Sequence, residues 1–130
     1  MKKSLLFFVL LAIGSCSRPG TANDGGLLTP QAFDEQLKLG GDFVLLDVRS
    51  PEEMQTSYLP GARNLDFNAK NFESALDSLD HSKKYLVYCA SGIRSGRAMK
   101  MMKAKGFQDV VAMEGGLKAW EAAGLPIQKP

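Results

Sequence analysis

The chain has 130 residues, 45% of them hydrophobic, enough for one domain with a buried sheet and covering helices but not for a second core. Sixteen Lys and Arg stand against 14 Asp and Glu. Loss of Lys2 and Lys3 with a cleaved leader would equalise the signs, so the global charge offers no basis for binding nucleic acid, which calls for a basic excess on one face. Met1-Lys2-Lys3 is a short positive head, and Ser4 to Ile13 (SLLFFVLLAI) is an apolar run. That run fits the ~7–15 residues of a secretion-signal core and falls well short of the ~20 that span a bilayer. A buried N-terminal helix and an ordinary cleaved signal are the plainer alternatives.

Ile13-Gly14-Ser15-Cys16 resembles the lipobox of bacterial lipoproteins: an aliphatic residue, two small residues, then the cysteine that is acylated and becomes the new N-terminus. The resemblance implies a signal peptide over 1–15 and lipidation of Cys16, where several acyl chains at ~0.8 kcal/mol per buried CH₂ give stable membrane attachment. Ser17 to Gly26 (SRPGTANDGG) is small, polar and glycine-rich, so 16–26 reads as a lipidated cysteine and flexible tether. The expected location is the bacterial cell envelope, lipid-anchored and periplasm-facing; Ser17 in place of aspartate points to the outer membrane in a Gram-negative cell. With Cys16 acylated, Cys89 has no disulfide partner, and a lone thiol in an oxidising compartment signals chemistry. The plain alternative is an inert buried cysteine.

Gly26-Leu27-Leu28 suits a short edge strand. Thr29-Pro30 opens a helix carrying Phe33, Leu37 and Leu39, which Gly40-Gly41 stops. Phe43 to Val48 (FVLLDV) is nearly all apolar, as in a strand covered on both faces. Ser50-Pro51-Glu52-Glu53 repeats the helix-entry pattern with a capping-box glutamate. Tyr58-Leu59-Pro60-Gly61 turns into a short strand over Ala62–Leu65, and Phe72, Ala75, Leu76 and Leu79 recur at helical spacing. Tyr85–Tyr88 (YLVY) is a second buried strand ending on Cys89. A helix is expected over 95–105, with Ala98, Met101, Met102 and Lys105 on one face and Gly106 closing it. A strand over Val110–Met113 and a helix from about Leu117 to Ala122, closed by Gly124, complete the chain. Alternation of strands and helices predicts an α/β domain over 27–128 with a mainly parallel central sheet, whose ligands bind beyond the carboxyl ends of the strands. Cys89 lies at such an end.

The segment Cys89-Ala90-Ser91-Gly92-Ile93-Arg94-Ser95 joins a buried strand to a helix through small residues, so its backbone amides can turn inward. A ring of N–H groups at the positive end of a helix stabilises an anion, and the nearest one is the Cys89 thiolate. The expected result is a lowered thiol pKa with no histidine needed. The one histidine, His81, sits in a polar His-Ser-Lys-Lys stretch and reads as a solvated turn residue; one histidine and one free cysteine exclude a zinc site, and no cofactor is expected. Arg94 offers a planar fork for sulfonate or phosphate oxygens, the alternative being a pair with a carboxylate. Arg97, Lys100, Lys103 and Lys105 read as a solvated face.

Asp47-Val48-Arg49, Ser50-Pro51-Glu52-Glu53, Leu59-Pro60-Gly61-Ala62-Arg63-Asn64, the Cys89–Ser95 loop and Glu114-Gly115-Gly116-Leu117-Lys118-Ala119-Trp120-Glu121-Ala122-Ala123-Gly124-Leu125-Pro126 resemble, in order and spacing, a single rhodanese-like domain. The resemblance implies a three-layer α/β fold and a sulfurtransferase. Cys89 would take the outer sulfur of a small anionic donor such as thiosulfate, become a persulfide, and pass the sulfur to a thiol or cyanide. It implies substrate binding by Ala90, Ser91, Gly92, Ile93, Arg94 and Ser95, and bracing by Asp47 and Arg49; Gly115, Gly116 and Trp120 look architectural. Two departures stand out: Ser57-Tyr58 replaces the family's usual Gly-His pair, and Ala90 stands where thiosulfate-specialised members often carry a basic residue.

Cysteine phosphatases and arsenate reductases also place a cysteine and an arginine around an amide ring, but space them by five residues. Only Ala90, Ser91, Gly92 and Ile93 intervene in this chain, a tighter ring suited to a sulfane sulfur rather than a tetrahedral phosphoryl group. The alternative from another class is a sulfur-binding, redox or docking module serving an envelope protein partner.

Overall fold

The computed structural model describes residues 25–130; the expected signal sequence, Cys16 and most of the tether lie outside the described residues. Five strands form one parallel sheet: β1 (Leu27–Leu28), β2 (Phe43–Asp47), β3 (Arg63–Asn64), β4 (Lys84–Tyr88) and β5 (Asp109–Met113), in the order β1-β5-β4-β2-β3. Among the described residues four helices connect them, α1 (Pro30–Leu39), α2 (Pro51–Thr56), α3 (Phe72–Asp77) and α4 (Ile93–Ala104), and a fifth, α5 (Gly116–Ala122), follows β5.

Strand periodicity divides the core in two. Leu45, Leu86, Tyr88 and Met113 face Phe33 of α1 and Leu117 and Trp120 of α5, while Leu46, Tyr85, Val87 and Ala112 face Phe72 and Leu76 of α3 and Ala98, Met99 and Met102 of α4. β4 lies between β2 and β5 with residues 85–88 fully buried, which explains the uninterrupted apolar reading of YLVY. The expected three-layer parallel architecture is the one observed.

Local chemistry sets the helix starts. The Thr29 side chain accepts from Ala32 N at 3.2 Å with Pro30 in the first turn. Ser50 and Glu53 exchange both capping-box bonds, at 3.2 and 2.9 Å. Two expectations need correction. α4 begins at Ile93 rather than 95, because Gly92 takes the cap position with φ 91°; the buried face becomes Ser95, Ala98, Met99 and Met102, and Lys105 instead pairs with Asp77 at 2.8 Å. His81 lies in a turn, as expected, but is half-buried rather than solvated. Its ring stacks on Phe107 with centroids 4.0 Å apart, and its Nε2 is buried without a partner among the described residues. It lies at the opposite end of β4 from Cys89, too remote to serve as its base.

Candidate active site at Cys89

Cys89 follows β4 directly and is fully buried. The loop after it is held by its carbonyls: Cys89 O accepts from Leu117 N at 2.9 Å and Ala90 O from Lys118 N at 3.0 Å. Otherwise unpaired amides in the first turn of α5 therefore find partners in the loop. Such a close approach requires Gly116. It has φ 61°, and a Cβ there would meet the Ala90 carbonyl carbon and Cys89 O at 2.5 Å. Gly92 is fixed similarly, since a Cβ there would sit 2.9 Å from Gly115 N.

With the carbonyls tied outward, the amides turn inward. Gly92 N donates to Cys89 Sγ at 3.1 Å and Ser95 N at 3.4 Å, while Ser95 Oγ lies 3.3 Å from the sulfur. Burial, the largest influence, pushes the thiol pKa up. Hydrogen bonds from the Ser95 hydroxyl and from the backbone of Ser95, Ser91 and Gly92 outweigh it, and the net direction is down from the ordinary cysteine value. The sulfur is thus poised towards the thiolate chiefly by backbone and hydroxyl donors.

The remaining loop residues divide by role. Ile93 is 62% exposed and Ser91 is exposed, whereas Ala90 is half-buried. Arg94, expected to be open to an anion, is instead closed in a bidentate pair: its Nη1 and Nη2 donate to Glu53 Oε2 and Oε1, both at 2.8 Å. Bonding to Arg94 is the leading cause that lowers the Glu53 carboxyl to about 2. Sequence reasoning assigned Glu53 to the capping box and missed this second role. The partners are 41 residues apart, and the local motif already accounted for the glutamate.

Asp47 and Arg49 are both buried and form an ion pair, with Arg49 Nη2 donating to Asp47 Oδ2 at 2.6 Å and Arg49 Nε to Oδ1 at 3.0 Å. The same guanidinium donates to the carbonyls of Glu53 at 3.4 Å and Ser57 at 2.6 Å, and lies 5.8 Å from the centroid of the Tyr88 ring. It therefore ties the end of β2 to α2, the helix that carries Glu53. Asn64 Nδ2 adds bonds to the carbonyls of Asp47 and Arg49. Tyr58 pairs with Gln128 through two backbone bonds of 2.9 Å. It lines a surface cavity of about 510 Å³ with Pro51, Met54, Gln55, Asn64 and Pro130, a lining that includes no residue of the Cys89 loop. Among the described residues, no cluster of three His, Cys, Asp or Glu is placed to hold a metal.

Comparison with known proteins agrees with this architecture. The probable adenylyltransferase/sulfurtransferase MoeZ of Mycobacterium tuberculosis is 32% identical over 99 residues, 76% of this chain, although the chain spans only 25% of that protein's length. The putative sulfurtransferase YtwF of Bacillus subtilis is 30% identical over 99 residues, covering 76% of this chain and 93% of its own length. The crystal structure of a rhodanese-related protein from Thermoplasma volcanium superposes with a TM-score of 0.67 at 28% identity, covering 77% of this chain and 94% of that one. The family model for the rhodanese-like domain matches residues 29–123, a span that holds β2 to β5, the Cys89 loop and the α5 glycines, and the chain belongs to the rhodanese-like domain family.

Proposed function

We propose that this chain is a sulfurtransferase that carries sulfane sulfur as a persulfide on Cys89. The observation that carries the reading is the Cys89 cradle: a buried sulfur facing two amides and the Ser95 hydroxyl at 3.1–3.4 Å, at the carboxyl end of the central strand. In the first step the Cys89 thiolate attacks the terminal sulfur of a donor. With thiosulfate the new Sγ–S bond forms as the S–S bond of the donor breaks, its electron pair leaving with sulfite. In the second, a thiolate or cyanide attacks the outer sulfur and takes it as a persulfide or thiocyanate, which returns the Cys89 thiolate. No proton need move and no metal or cofactor takes part.

The cradle stabilises the negative sulfur at both ends of each step, and its donors are fixed before reaction, which is how an oxyanion-type site lowers a barrier. Enclosure of Sγ favours a donor that presents sulfur as a single terminal atom over one that presents a phosphoryl group. Intact-mass analysis of the purified protein after incubation with thiosulfate or an alkyl persulfide tests the reading. Wild type is expected to gain one sulfur, released by cyanide as thiocyanate, and Cys89→Ser to gain none. Failure of every sulfane donor to load wild type, or equal loading of the variant, would refute it.

We propose further that Cys16 carries lipid and holds this domain at the envelope membrane, where the acceptor would be a thiol compound or an envelope protein. The lipobox-like Ile13-Gly14-Ser15-Cys16 and the following polar stretch support it. Full-length protein expressed in a bacterial host with lipoprotein processing is expected in the membrane fraction, and Cys16→Ser in the soluble fraction. A wild type that fractionates as soluble would contradict the anchor.

A further inference from the structure

The Glu53–Arg94 pair bears on which donors the site accepts. Arg94 has two terminal nitrogens able to grip a sulfonate, and both are spent on Glu53. Glu53 is itself held from behind, because its Oε2 also accepts from Ser50 N at 2.9 Å, so the carboxylate is anchored at the start of α2. The Cys89 sulfur and, more weakly, the Asp66 carboxylate also act on Arg94 as negative charges. The other arginine behind the loop, Arg49, is neutralised by Asp47. Position 90, next to the nucleophile, is an alanine. The ionised groups acting on Arg94 are therefore carboxylates and the thiolate, and neither Arg94 nor Arg49 is left unpaired to receive a dianion.

We infer that Glu53 is a specificity-determining residue that occupies the anion-binding fork of Arg94 and turns the Cys89 site away from dianionic sulfonate donors, towards persulfides of low charge. The inference rests on the proposed sulfur-carrier function of Cys89. With an alkyl persulfide R–S–SH, the thiolate attacks the outer sulfur. The Sγ–S bond forms and the S–S bond of the donor breaks, its electron pair leaves with R–S⁻, and the proton of the transferred sulfur passes to the departing thiolate. The products are the Cys89 persulfide anion and R–SH, with charge conserved. No sulfonate has to be held, so the amide cradle is sufficient.

Glu53→Gln keeps the shape of the side chain and an oxygen for Ser50 N and Arg94 but removes the charge. A dianion approaching within several ångströms of the freed Arg94 gains an attraction that, even at an effective dielectric well above that of a protein interior, corresponds to about tenfold or more in rate. Second-order rate constants for loading Cys89 should be measured with thiosulfate and with 2-hydroxyethyl persulfide, whose organic part is uncharged, at low and high salt, for wild type, Glu53→Gln and the charge-retaining Glu53→Asp. Wild type is expected to prefer the persulfide by about tenfold or more. In Glu53→Gln the ratio of thiosulfate to persulfide rates should rise about tenfold, with an advantage that shrinks at high salt as screened electrostatics require. Glu53→Asp should keep the wild-type ratio. A ratio unmoved or lowered in Glu53→Gln, or raised equally in Glu53→Asp, overturns the inference while leaving the persulfide function standing. A wild type that neither donor loads defeats the function itself.

Discussion

Gly116→Ala is expected to lower the stability of the domain by about 2–5 kcal/mol, combining the cost of a left-handed backbone for a residue with a Cβ and the cost of overpacking. At this size that corresponds to a fall in Tm of about 10–30 °C by thermal melt. The added methyl carbon would stand 2.5 Å from the Ala90 carbonyl carbon and Cys89 O, which are backbone atoms that cannot swing aside. α5 would have to move off the loop, at the expense of the bonds from Leu117 N and Lys118 N to the two loop carbonyls. Gly124→Ala is the matched comparison: its φ is 72° but nothing lies within 4 Å of the added atom, so it bears the conformational cost of about 1–2 kcal/mol alone. If the two variants melt together, close approach is not what position 116 provides.

Arg49→Met is expected to cost about 3–5 kcal/mol, because it leaves the fully buried Asp47 carboxylate without its counter-charge. Denaturant unfolding measures this as a lower midpoint at unchanged slope. The pair itself is a poor source of net stability, since two desolvated ions roughly offset their mutual attraction. The double variant Asp47→Asn with Arg49→Met should therefore recover a substantial part of the loss, and the cycle isolates the coupling. Full additivity would show that the two groups do not act as a unit. Loss of Arg49 also leaves the Glu53 and Ser57 carbonyls without this donor, which removes a tie between β2 and α2.

Much of the fold was legible because the relevant signals are local. FVLLDV and YLVY read as strands since a strand covered on both faces has no polar alternation, and Thr29-Pro30 and Ser50-Pro51 read as helix starts since the cap and its donors lie within one turn. The start of α4 was misplaced because its cap is a left-handed glycine, Gly92, that makes no side-chain bond, while Ser95, two residues inside the helix, carries the side chain of a typical cap. Ser95 is instead buried against the sulfur. The Cys89 cradle was legible for the same local reason as the strands: small residues between a strand and a helix leave amides free to converge. What sequence could not supply was contact at long range. Nothing in the spacing of Glu53 and Arg94 links them, and the stacking of His81 on Phe107 joins two loops that pattern and polarity place in solvent.

The enclosure of Cys89 decides which of two sulfurs an incoming nucleophile meets. In the proposed persulfide, attack on Sγ would expel hydrosulfide and leave a mixed disulfide, whereas attack on the outer atom hands the cargo over and restores the starting thiolate. Because Cys89 is buried and Gly92 N, Ser95 N and Ser95 Oγ crowd its Sγ at 3.1–3.4 Å, the outer atom of the proposed persulfide would be the one presented to an acceptor. In the proposed cycle, burial would thus favour atom transfer over disulfide exchange and would regenerate the carrier with each delivery.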